Sequence, residues 1–166
     1  MPPPTNPVEV PSDKDWINVE SQFGFDLPED YKNFIQAYGS GRICKFMWIF
    51  NPVSKNENLN LEDQIKLQLD VLSELQEYGE VLPFKLYPEA GGLLPFGVTD
   101  NGDVLFWQTI GQPRDWQVIV NEARSPEWAI YHMSMSEFLF KILQKELICD
   151  IFPTSFPRDL PIFERP

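Results

Sequence analysis

One histidine, two cysteines and thirteen basic residues against twenty-five acidic ones are what this 166-residue chain has least of. The single histidine, His132, has no histidine or cysteine beside it, so the chain offers no set of the kind that holds zinc, and a structural or surface role is expected for it. Cys44 and Cys149 lie far apart and match no metal or redox spacing, which points to buried free thiols. Phosphate loop, nucleophile elbow and glycine-rich dinucleotide fingerprint are all missing, so no cofactor and no metal is expected. A formal net charge of -12 repels phosphate over much of the surface and argues against direct nucleic-acid binding. No stretch approaches the roughly 20 apolar residues of a membrane span, and the opening MPPPTNPVEVP lacks the basic and apolar parts of a signal peptide, so a cytoplasmic location is expected.

Large apolar side chains are plentiful. Hydrophobic residues make up 43% of the chain and aromatics 14%, enough to fill a core, and the length suits one domain. Residues 1–11 hold five prolines and read as an extended leader that adds little to the core. Residues 12–148 carry the periodic patterns of an α+β domain. Ser12 and Asp15 form a capping box ahead of Trp16, Ile17 and Phe23. In DLPEDYKNFIQAYG, Tyr31, Phe34, Ile35 and Tyr38 form one helical stripe, with Pro28 suited to the first turn and Gly39 to the stop. Arg42 to Phe50 reads as one buried strand ending at Asn51-Pro52. Asn60 can cap a longer helix whose Leu61, Ile65, Leu69, Leu72 and Leu75 share a face, with Gly79 as its end.

Four short strands follow, Gly92–Val98, Asp103–Gln108, Trp116–Asn121 and Trp128–His132, divided by the Asn101-Gly102 hairpin signal and by Gly111-Gln112-Pro113. Ser134 and Glu137 form a second capping box, before a helix that turns Phe138, Leu139, Ile142 and Leu143 to the sheet. The expected fold is thus a mainly antiparallel sheet of about five or six strands flanked by about four helices. Residues 149–166, DIFPTSFPRDLPIFERP after Cys149, carry proline too often for a helix or a central strand. They read as an extended tail, too apolar to be purely solvated, that lies across its own domain or across a partner.

Two groups of carboxylates invite a functional reading. Asp100 and Asp103 flank the Asn101-Gly102 turn, but ordinary turn chemistry explains both, and the ligand count of a calcium loop is missing. On the long helix Asp63, Asp70, Glu74 and Glu77 fall within about 60° of one another, opposite the leucine stripe, at ~100° per residue. Asp70 and Glu74 repel at i, i+4, and Glu74 and Glu77 stand near the end of the helix where its dipole disfavours anions. Such a locally unfavourable row suits a face that meets a basic partner; a merely solvated face is the other reading.

Several segments together resemble a known family. LPEDY at Leu27–Tyr31, YGSGRI at Tyr38–Ile43, LLPFGVTDNGDVLFW at Leu93–Trp107 and WAIY ahead of SMSEFL are similar to the SUKH superfamily, domains like the fungal cell wall assembly regulator, over about Trp16 to Leu147. The resemblance implies an α+β fold and no catalytic residues. It implies structural roles for Leu27, Pro28, Tyr31, Gly39, Gly41, Gly97, Asp100, Gly102 and Trp107. It also implies a function, since many bacterial members resemble immunity proteins that neutralise a polymorphic or contact-dependent toxin, often a nuclease. A basic nuclease would suit an acidic inhibitor. An adaptor or regulatory module that binds proteins with no toxin involved is the alternative, and an enzyme would have to draw on His132, Asp100 and Asp103.

Overall fold

Ser12 opens the first helix through the reciprocal bonds its spacing with Asp15 implies. In the computed structural model, which describes residues 1–157 and 160–166, α1 spans Asp13–Phe23. The Ser12 N–H donates to the Asp15 carboxylate at 2.8 Å and the Asp15 N–H donates back to the Ser12 hydroxyl at 3.4 Å. The second helix, α2, spans Glu29–Tyr38 and buries Tyr31 and Ile35; the Tyr31 hydroxyl donates to the Phe50 carbonyl at 2.7 Å. Pro28 stands one place before the expected first turn, at the N-cap. Gly39 ends the helix at φ 65°, where a β-carbon would lie 2.1 Å from the Val8 carbonyl oxygen, so only glycine fits.

The single strand expected over Arg42–Phe50 is instead a tight hairpin. Strands β1, Arg42–Ile43, and β2, Met47–Ile49, pair antiparallel around a turn closed by the Phe46 N–H on the Ile43 carbonyl at 3.0 Å. Cys44 and Lys45 both take positive φ there, at 52° and 55°, the sign pattern of a type I′ turn. Neither is glycine, asparagine or aspartate, so no local signal marks the reversal. The cross-links this buys are tertiary: the Cys44 N–H donates to Ile162 in the tail, and Lys45 pairs with Glu164 at 3.2 Å.

The long helix α3 covers Leu61–Glu77, with the Asn60 side chain accepting from the Glu62 and Asp63 N–H groups. A meander follows: β3 at Leu93–Thr99, β4 at Val104–Gln108, β5 at Gln117–Asn121 and β6 at Trp128–Tyr131, then α4 at Met135–Leu143. The second capping box is only half formed. The Glu137 N–H donates to Ser134 at 3.4 Å, but the Glu137 carboxylate turns to Lys141 at 2.7 Å, because i, i+4 pairing competes with the cap.

Among the described residues seven strands form one antiparallel sheet in the order β6-β5-β4-β3-β2-β1-β7. The count exceeds expectation for two reasons: the 42–50 run folds back on itself, and the tail supplies β7, Phe163–Glu164, against β1. Proline tolerates this because an edge strand needs fewer N–H donors. Phe163 packs on Tyr38 at 5.1 Å between ring centres and fills the space over Gly41, where a β-carbon would sit 2.3 Å from its ring. Arg158 and Asp159, within the expected tail, lie outside the described residues.

Side chains alternate between two cores. Leu94, Leu105, Trp107, Val118 and Val120 face Val19 of α1, Tyr31 and Ile35 of α2 and Phe138 and Ile142 of α4. Leu93, Val104, Phe106 and Ile119 face the other way, onto Leu72 of α3. The first residues are docked on the domain: Val8 bridges Gly39, and the Asn51 side-chain amide, fully buried, donates to the Glu9 carbonyl at 2.7 Å and to Ser40 at 3.0 Å. Among the described residues no helix is long and apolar enough to cross a membrane.

Candidate functional site: the outer face of the third helix

The periodicity of α3 decides what it shows to solvent. Leu61, Ile65 and Leu72 are buried, and Asp63, Asp70, Glu74 and Glu77 are all exposed on the opposite side. None of these four carboxylates takes part in an ion pair or accepts a hydrogen bond from another described residue. The last turn of α3 holds no basic residue, so its partly negative end is left facing Glu74 and Glu77.

Between the acidic row and the buried stripe runs a line of apolar side chains that the sequence reading passed over. Leu67 and Val71 on α3 are 49% and 44% exposed, and Tyr78 and Val81 just beyond it are 88% and 93% exposed. At ~100° per residue Val71 falls about 40° from Leu75 of the stripe and Leu67 about 20° from Glu74 of the acidic row, and that intermediate position was the available signal. Alongside lies a groove of about 750 Å³ with Leu72, Val104 and Phe106 at its base. One wall is α3; the other is the tips of the β3–β4 and β5–β6 hairpins, Asn101-Gly102 and Ala123 to Pro126.

Those tips are joined by a carboxylate. Asp103 is 2% exposed and accepts from the Thr99 hydroxyl at 2.7 Å and from the Ala123 N–H at 3.1 Å, while its own N–H donates to Thr99 at 3.1 Å. The turn itself is closed by the Gly102 N–H on the Thr99 carbonyl at 2.9 Å, so its central residues are Asp100 and Asn101 and Gly102 takes the left-handed place after them. Replacing Asp103 by alanine strands the Thr99 hydroxyl and the Ala123 N–H. A loss of about 1–3 kcal/mol in urea unfolding is expected, with faster hydrogen exchange at Ala123; unchanged exchange there would mean the tips are held by something else.

Asp100 belongs to a different cluster. It accepts from the Trp48 indole at 2.9 Å and faces Arg42 at 3.6 Å, and the Arg42 guanidinium lies 5.7 Å from the Trp48 ring centre. It thereby locks the β3–β4 turn to the β1–β2 hairpin. Gly97 faces Ile49 and Leu105 in the same sheet, and Trp107 is buried between Tyr31 and Phe96 at 5.0 and 4.7 Å. Leu27 is buried as well, its N–H held by Glu20 at 2.8 Å.

His132 does not join Asp100 and Asp103. It follows β6 at the end where Gln117 pairs with Gln108, and its ring nitrogen bonds the Gln117 side chain, whereas Asp103 lies at the far end of β4 beside Asn121. The three residues that an enzyme reading needs are therefore spread over both ends of the sheet. Both cysteines are free and buried; burial pushes the Cys149 thiol up, which suppresses the thiolate. Among the described residues no group of three or more His, Cys, Asp or Glu could hold a metal ion.

A family model described as SMI1-KNR4 cell-wall, SUKH_6, matches residues 13–139, from the start of α1 into α4. No curated protein and no solved structure matches the chain.

Proposed function

Because the chain belongs to the SUKH_6 family of SMI1-KNR4 cell-wall domains, we propose that it is a cytoplasmic immunity protein that binds and neutralises a cognate toxin. It acts by contact and not by catalysis. The observation that carries this reading is the row Asp63, Asp70, Glu74 and Glu77, exposed, unpaired among the described residues and set on one side of α3. A fixed row of like charge raises the rate of encounter with a basic surface, and a toxic nuclease, which must itself hold nucleic acid, presents one. Neutralisation then follows from covering that surface, with direct nucleic-acid binding by this acidic chain disfavoured.

The test is co-expression with the product of the gene immediately upstream, scored by growth and by co-purification. Growth arrest by that product alone, relieved when the two are made together as a stable complex, is the expected result. A harmless neighbour that does not co-purify would sink the toxin reading and favour an adaptor for some other protein.

A further inference from the structure

The acidic row is only half of a surface. We infer that the groove between α3 and the β3–β4 and β5–β6 hairpin tips is a docking channel for a partner segment that carries apolar side chains beside lysines or arginines. This rests on the protein-binding reading above and gives its partner a chemistry.

Three observations meet there. Leu67, Val71, Tyr78 and Val81 expose large apolar area within one stretch of chain; Ile17, Ile110, Ile130 and Phe140 are exposed singly on separate elements, and Ile148, Leu160 and Ile162 lie in the segment after α4, which among the described residues has no such row of carboxylates beside it. Contiguous apolar surface rimmed by polar groups marks an interaction site, where scattered exposed residues do not. The groove beside this line has an apolar base, Leu72, Val104 and Phe106, so a side chain entering it leaves water on all sides. Glu80 lies in the groove wall, and Asp70, Glu74 and Glu77 run parallel to it on the outer side of Val71. An apolar segment without cations would leave these carboxylates partly desolvated and unpaired, which is costly; one flanked by lysine or arginine pairs them. Arg124, exposed in the opposite lip, is the one cation among the groove's lining residues, and Glu122 and Glu127 flank it in the chain, so the carboxylates that stand unpaired beside the groove gather on the α3 side. The incoming segment therefore turns its cations toward α3.

The walls suit such a role. α3 is capped by Asn60, and the hairpin tips are tied to each other through Asp103, so the channel exists before a partner arrives and little ordering entropy is lost on binding.

The experiment titrates the full-length, isotope-labelled chain with a synthetic helical peptide about as long as α3, bearing a leucine stripe beside a lysine row. A control peptide keeps every lysine and replaces leucine by serine. Saturable shifts at Val71, Tyr78, Val81 and Asn101 are expected from the first peptide, with at least tenfold weaker binding for the control. Val71→Ser combined with Val81→Ser, both at exposed positions, should weaken the leucine peptide about tenfold and leave the control unchanged. Equal binding of the two peptides, shifts centred on another face, or an unaffected double variant would each overturn the channel. Growth rescue in co-expression is scored independently, so loss of the channel and loss of the toxin reading are told apart: a rescuing protein with an inert groove rejects only the former.

Discussion

Truncating Trp107 to alanine should lower stability by about 3–5 kcal/mol, the range for removing a large aromatic from a packed core. Trp107 is 1% exposed and its ring touches Tyr31, Phe96 and Trp116 at centroid distances of 5.0, 4.7 and 5.8 Å, so it joins α2 to two strands and to the entry of β5. Its indole nitrogen is buried and has no hydrogen-bond partner among the described residues. Trp107→Phe should cost much less than Trp107→Ala, because it keeps most of the ring contact with Tyr31, Phe96 and Trp116. Urea unfolding followed by circular dichroism measures both. Equal losses for the two variants would mean that the ring contact Phe retains contributes nothing measurable to stability.

Replacing Asp70, Glu74 and Glu77 together by lysine should leave the fold intact and slow association with a basic partner by about tenfold or more at low salt, since steering by charge changes on-rates by about 10–10³. All three are exposed on the outer face of α3, and none pairs with another described side chain, so no native contact is lost. The variant's helix end is also improved, because cations suit the carboxyl terminus of a helix. Stopped-flow mixing with the co-purified partner over a salt series reads the effect. The difference between native and variant rates should shrink toward 1 M salt, where the screening length falls to about 3 Å. Equal rates at low salt would remove the acidic row from the binding surface and leave the apolar channel to be judged by its own test.

Local chemistry made much of the fold readable. Asn60 and the leucine period of α3, the Ser12–Asp15 box and the turn residues between β3 and β6 each act over a few positions, so a linear reading finds them. Where that reading went astray, a longer-range contact outweighed a weak local preference. The run 42–50 has strand character throughout and breaks at Cys44-Lys45, where a backbone bond to Ile162 and an ion pair to Glu164 support an unfavourable turn. Glu137 had two partners within reach and took Lys141. The tail's prolines correctly argued against a central strand, yet nothing local announced that Phe163 would cover Gly41 and add an edge to the sheet.

The candidate site divides in the same way. The acidic row is a property of one helix, and a spacing near 3.6 residues places Asp63, Asp70, Glu74 and Glu77 on one side of any helix they form. The sequence by itself therefore determined the row, as it determined the α+β class, the net charge and the separation of Cys44 from Cys149. Only the tertiary structure decided what lies beside the row. The groove needs α3 set against one face of the meander, two hairpin tips brought level through Asp103, and Val71 and Val81 left exposed among the described residues. The physical reason is range. Helical periodicity and turn preferences act between residues a few places apart, whereas the groove's base and walls come from residues 68 to 126, joined by packing that no short window of sequence contains.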